Sequence, residues 1–168
     1  MTERRRVLKV LTGMGGAAIV GTGVVTTGAL MAQGERRPGG GATEAWKRVA
    51  RLDALEQGRP LKVAVIGNVE DAWIRTEEQR IGNVWLLRDG PRAVRAFSTV
   101  CPHLGCSIDA DDHGFICKCH DSHFTSAGAR VDGPSPRGMD PIEARVEGEY
   151  VEVRYKRFRL GTSTRTEA

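Results

Sequence analysis

All four cysteines and three of the four histidines of this 168-residue chain stand in two short boxes, Cys101-Pro102-His103-Leu104-Gly105-Cys106 and Cys117-Lys118-Cys119-His120-Asp121-Ser122-His123. Thiolate is a soft ligand and imidazole a borderline one, so two such boxes specify a metal centre. Whatever the chain folds into must therefore bring two separate loops to one place. A tetrahedral zinc ion could be held by two Cys and two His drawn from the set, but that choice leaves two cysteines without an obvious role.

The rest of the sequence predicts a β scaffold for those loops. Past Gly58 it falls into short apolar or alternating runs: 61–66, 72–76, 84–88, 93–98, 114–118, 142–146 and 150–155. Turn signals separate most of them, namely Gly67-Asn68, Asp89-Gly90-Pro91, Asp111-Asp112-His113-Gly114, Gly133-Pro134-Ser135-Pro136 and Glu147-Gly148, as hairpins between small antiparallel sheets require. Alternation in Val84-Trp85-Leu86-Leu87 is imperfect and does not say which face is buried. Ahead of these runs, Trp46, Val49, Ala50, Leu52 and Leu55 are spaced as in a short amphipathic helix or turn.

The boxes resemble those of the Rieske family, Cys-x-His-x-Gly-Cys and Cys-x-Cys-His-x-Ser, and the resemblance covers about Trp46 to Gly161. It implies an all-β fold, a small antiparallel β-sandwich with a cluster-binding subdomain, and a [2Fe–2S] cofactor. Cys101 and Cys117 would bind one iron and His103 and His120 the other, with two bridging sulfides. Cys106 and Cys119 would form a disulfide between the loops, and Ser122 would donate a hydrogen bond to a bridging sulfide. Gly133-Pro134-Ser135-Pro136 resembles the loop that closes a third side of the cluster. Three positions depart from the family pattern. Phe124 stands where many high-potential members have a Tyr that hydrogen-bonds a ligand sulfur, Lys118 where Pro is frequent, and Asp121 where Gly is frequent. Without the phenol more negative charge stays on the sulfur, so the expected potential lies nearer the middle than the top of the Rieske range of about −150 to +300 mV. His113 and His123 fall outside the ligand positions and are expected to be solvated.

The N-terminus reads as an address and an anchor. Residues 10–32 carry no charge over 23 residues, long enough for a membrane-spanning helix although rich in glycine. Just ahead, Arg4-Arg5-Arg6-Val7-Leu8-Lys9 resembles a bacterial twin-arginine export signal. The expected layout is a cytoplasmic segment 1–9, a retained single-pass anchor 10–32, a flexible linker 33–45 around Pro38-Gly39-Gly40-Gly41, the cluster domain 46–161 on the outer side of the bacterial cytoplasmic membrane, and a tail 162–168. An exported site is one where a disulfide persists. The formal charge of +4 lies wholly in residues 1–37, which leaves the remainder neutral and argues against a nucleic-acid partner.

The anchored, hinge-linked layout resembles the Rieske subunit of cytochrome bc-type complexes. That resemblance implies one-electron transfer from quinol, of the menaquinol type given Phe124, to a c-type cytochrome, with a cytochrome b-type subunit as neighbour. His103 and His120 would meet the quinol. Activity would belong to the complex and not to this chain alone. The alternative is the small Rieske subunit of an exported molybdenum enzyme of the arsenite-oxidase type.

Overall fold

A computed structural model describes residues 45–70 and 73–168. Among the described residues ten strands form two antiparallel sheets. The larger orders its strands β1-β10-β9-β4-β3-β2, from β1 (Lys47–Arg51), β2 (Leu61–Glu70), β3 (Arg75–Arg88), β4 (Val94–Ser98), β9 (Pro141–Glu147) and β10 (Tyr150–Arg154). The smaller orders β5 (Asp109–Asp111), β6 (Gly114–Cys117), β7 (Ser122–Thr125) and β8 (Arg130–Asp132) as a simple meander. All of the smaller sheet lies in sequence between β4 and β9, which pair with each other through Phe97 and Pro141. The smaller sheet is thus a lobe inserted into the larger one. Its presence bears out the all-β expectation.

Strand β3 explains the imperfect alternation read in the sequence. Val84 and Leu86 are fully buried in an aliphatic core with Val65, Ala96, Ile142, Val151 and Val153. Trp85 and Leu87, on the opposite face, are buried in a second core with Phe97, Cys101, Phe115, Cys117 and Phe124. A strand that feeds two cores has no polar face to alternate with. Polar bonds tie the lobe to the sheet at the same place. Trp85 Nε1 donates to the Ile108 carbonyl at 3.1 Å, the Ile108 N–H to the Thr99 carbonyl at 2.8 Å, and Lys62 Nζ to Ser107 Oγ at 3.0 Å.

Two local expectations are corrected. Of the helix or turn expected over residues 46–55, only a single 3-10 turn, Leu52–Ala54, is present, and it follows strand β1 at Lys47–Arg51. A register shift between Arg48 and Ala50 in the pairing with β10 breaks the two-residue alternation and produces a spacing that imitates a helix. Gly67-Asn68 is not a turn but lies within β2. A Cβ at Gly67 would come 2.9 Å from Ile81 Cδ1, so this glycine serves close packing within the hairpin. The chain reverses later, with Glu70 paired to Arg75, and of the run expected at 72–76 the described residues Trp73 and Ile74 precede β3, which begins at Arg75. Among the described residues no helix is long and apolar enough to cross a membrane. The export signal, the anchor and nearly all of the linker lie outside the described residues.

Candidate metal centre

The first box is a tight loop leaving β4. The Cys101 N–H donates to the Cys106 carbonyl at 2.8 Å and the Gly105 N–H to the Cys101 carbonyl at 3.0 Å. Gly105 closes the loop at φ +83°, in the left-handed region that a side chain disfavours. The second box is the hairpin between β6 and β7, where Cys117 pairs with Ser122 across the strands. Asp121, where the family pattern often has Gly, turns this hairpin at φ 51°. Aspartate is among the few residues that adopt this conformation at modest cost, so the departure preserves the turn.

Cys106 and Cys119 form a disulfide that clamps the two loops together, as the resemblance implied. Cys117 Sγ lies within 4.8 Å of both disulfide sulfurs. Cys101 and Cys117 remain free thiols, 1% and 2% exposed. His103 and His120 meet edge to face with ring centroids 4.8 Å apart, the first half-buried and the second exposed. The structure thus places the two free thiols in the core and sets the two imidazoles against each other towards the surface.

The surroundings favour a held charge over a bare thiolate. Burial pushes the Cys101 thiol up to about 11; the His103 N–H and the Ser135 hydroxyl pull in the opposite direction, and Cys117 raises it further. At neutral pH the sulfur keeps its proton until a cation displaces it. Ser122 is buried and its oxygen accepts the Ser135 N–H at 3.1 Å. Ser135 itself is buried, and its hydroxyl donates to the Arg137 carbonyl at 2.8 Å. Sequence reasoning flagged the loop holding Ser135 but missed the residue, because a serine between two prolines carries no signal for a contact made far away in sequence.

Gly133 explains how that loop closes on the second box. Its φ is +83°, and a Cβ there would lie 2.3 Å from the Asp121 carbonyl oxygen and 2.5 Å from Ser122 Cα. Only glycine permits so close a backbone approach. Phe124 is 2% exposed and packs among Cys101, Cys117, Phe115 and Met139, presenting carbon where a phenol would bring a donor. Lys118 leans toward Asp109, 3.8 Å away. Of the histidines outside the ligand set, His113 is exposed as expected. His123 is instead paired, with Nδ1 2.6 Å from Asp132 Oδ1 and 40% of its side chain exposed.

Fold and site together define an all-β redox metalloprotein domain whose two loops pair thiols with imidazoles. The family of Rieske [2Fe-2S] domains matches residues 45–147, and the chain belongs to it. The donor set fits its cofactor, since two buried sulfurs and two adjacent surface imidazoles are the ligands that an iron–sulfur centre of this type takes. The chain is 35% identical over 85 residues to the menaquinol:cytochrome c reductase iron-sulfur subunit of Geobacillus thermodenitrificans, covering 47% of this chain and 49% of that one. It is 32% identical over 117 residues to the cytochrome b6-f complex iron-sulfur subunit of Synechococcus sp. (strain JA-3-3Ab), covering 67% and 65%. The matches thus span about half to two thirds of the length of these curated relatives. Among solved structures, the cyanobacterial plasma membrane Rieske protein PetC3 from Synechocystis PCC 6803 aligns with a TM-score of 0.40 at 20% identity, over 54% of this chain and 86% of that one.

Proposed function

We propose that Cys101 and Cys117 hold one iron and His103 and His120 the other, and that this chain is the electron-transfer subunit of a quinol:cytochrome c oxidoreductase of the menaquinol type. The observation that carries the reading is the division of the site into buried thiols and surface imidazoles. Two relatives named as menaquinol:cytochrome c reductase iron-sulfur subunits support it. When bound, the cluster supplies reversible one-electron chemistry at a potential raised by its neutral ligands.

The chain's own residues do the remainder. His103 and His120 sit where a quinol hydroxyl can reach an imidazole, which takes the hydrogen bond and then the proton. The disulfide and the Gly133 contact hold the two boxes and the third loop in one geometry, so the imidazoles are presented without rearrangement. The apolar shell of Phe115, Phe124 and Met139 keeps water from the sulfurs. Residues 10–32 anchor the protein to the bacterial cytoplasmic membrane, and residues 33–45 let the head move between a cytochrome b-type donor site and a c-type cytochrome.

The test is a redox-titrated EPR spectrum of membranes containing the full chain, recorded with and without a quinol-site inhibitor. The expected result is a Rieske signal that changes shape with inhibitor, at a midpoint near the middle of the family range. An unresponsive signal in the soluble fraction would instead favour the small subunit of an exported molybdenum enzyme, and zinc without iron would end the cluster assignment.

A further inference from the structure

The buried Ser122 hydroxyl has only part of its hydrogen-bonding capacity used by the protein. Its oxygen accepts the Ser135 N–H at 3.1 Å, and among the described residues no atom accepts its proton. Ser122 is 1% exposed, so bulk water cannot take that proton either. A buried hydroxyl in this state is a donor held for an acceptor that is not a protein atom. Where its proton points depends on how its oxygen is pinned, and the group that pins it is the Ser135 amide.

Ser135 is itself firmly held. Pro134 and Pro136 restrict the backbone on either side of it. Its hydroxyl donates to the Arg137 carbonyl at 2.8 Å, folding the loop back on itself. Arg137 in turn is fixed by a buried knot. It holds the Asp140 carboxylate through two bonds of 2.8 Å, with side chains 6% and 3% exposed, and Arg165 Nε reaches the same carboxylate at 3.1 Å. Arg137 also donates to the carbonyls of Arg159, at 2.9 Å, and Thr162. The Asp140 carbonyl accepts the Ser98 N–H at the end of β4, which ties the knot to the larger sheet. Burying such a charge cluster costs desolvation energy, so it is a better device for fixing one geometry than for adding stability.

We propose that Ser135 is a positioning residue for the electron-transfer site, pinning the Ser122 oxygen with its N–H so that the Ser122 proton is aimed at a bridging sulfide. The inference rests on the cluster reading above and on Ser122 as its donor. An aimed donor stabilises the negative charge that reduction adds to the cluster, so its alignment is felt in the midpoint potential. The amide also polarises the hydroxyl it binds, which strengthens the bond that the hydroxyl gives. The rival role for Ser135 is a direct bond from its own hydroxyl to a ligand sulfur. That role, unlike the relay, would not need Ser122.

The experiment is a double-mutant cycle, read by EPR-monitored redox titration of membranes containing the full chain. Ser135→Ala frees the loop from the Arg137 carbonyl and loosens the amide. It is expected to shift the oxidised-to-reduced ratio at fixed potential about threefold toward the oxidised form, a fall in midpoint of about 28 mV for one electron. Ser135→Thr, which keeps the hydroxyl, should titrate as wild type. Added to Ser122→Ala, Ser135→Ala should produce no further fall. A wild-type midpoint in Ser135→Ala overturns the inference. So does a fall that persists undiminished beside Ser122→Ala, which would assign Ser135 the direct bond to sulfur. A wild-type midpoint in Ser122→Ala would overturn the donor role of Ser122, and wild-type membranes without a Rieske signal would overturn the cluster reading itself, each taking the inference with it.

Discussion

The two halves of this domain solve the problem of stability in different ways. The six-stranded sheet has strands up to 14 residues long and an aliphatic core of Val65, Val84, Leu86, Val151 and Val153, each fully buried. The inserted lobe has strands of three or four residues, and its outermost, β8, is exposed along its whole length. Strands so short give few ladder bonds, so the core of Ile108, Phe115 and Phe124 is supplemented by cross-links: a disulfide between the boxes, close glycine contacts, and the cluster itself. The sheet therefore depends on packing alone, and the lobe on packing reinforced by covalent and coordinate bonds.

That contrast can be broken by substitution. Leu86→Ala should remove about 3 kcal/mol from global stability, lowering the denaturant midpoint read by far-UV circular dichroism while the surviving folded fraction keeps its cluster signal. Replacing Cys106 and Cys119 by Ser should cost up to about 3 kcal/mol, for a closed loop of this size. Here the loss should be confined to the lobe. Cluster absorbance should fade and amide protection in β5–β8 collapse, while β2, β3 and β10 keep theirs. Collapse of both regions together would show that the sheet cannot stand without its insert.

Subtler changes sharpen the comparison. Ser122→Ala removes the hydroxyl proposed to face a sulfide and the acceptor of the Ser135 N–H. A hydrogen bond to a charged group is worth about 1.5–3 kcal/mol, so the midpoint should fall by about 60–130 mV for one electron, and stability should fall by about 1–3 kcal/mol because the buried Ser135 N–H loses its acceptor. The smallest effect belongs to the sheet. Glu152 is held below the usual carboxylate range, chiefly by its bond to Arg145 with Arg48 assisting, against the cost of its burial. A carboxyl depressed in the folded state stabilises fully above its unfolded value, near 4.5, and that contribution is lost as pH falls through the lower folded value. Glu152→Gln should flatten the acid limb of the stability profile, and an unaltered limb would remove the pair from the account.

The sequence disclosed the two regions unequally. Strands β2, β3, β4, β9 and β10 of the sheet were legible, at least in part, from apolar runs and turn residues, whereas β1, with no fully buried residue, was read as a helix or turn. Strands β5, β7 and β8 were missed, since Asp109–Asp111 and Arg130–Asp132 are polar and exposed, and Ser122–Thr125 reads as part of the metal box. The site showed the reverse. Its ligands and disulfide stood out because cysteine and histidine are rare and were clustered. Its supports did not. Ser135, Gly133 and the Arg137–Asp140–Arg165 knot act across many intervening residues, and a spacing rule sees only neighbours.

The lobe begins and ends on one rung of the larger sheet. Phe97 pairs with Pro141, and the Ser98 N–H donates to the Asp140 carbonyl at 2.8 Å. An insertion whose two ends are already tied together behaves as a cassette. Its residues can depart from the family pattern, as at Lys118 and Asp121 in the hairpin and Phe124 in β7, without any strand of the larger sheet changing register. The same arrangement makes the segment from Thr99 to Met139 a natural unit for exchange between relatives, so that a redox character could be transplanted whole onto a frame built for another partner.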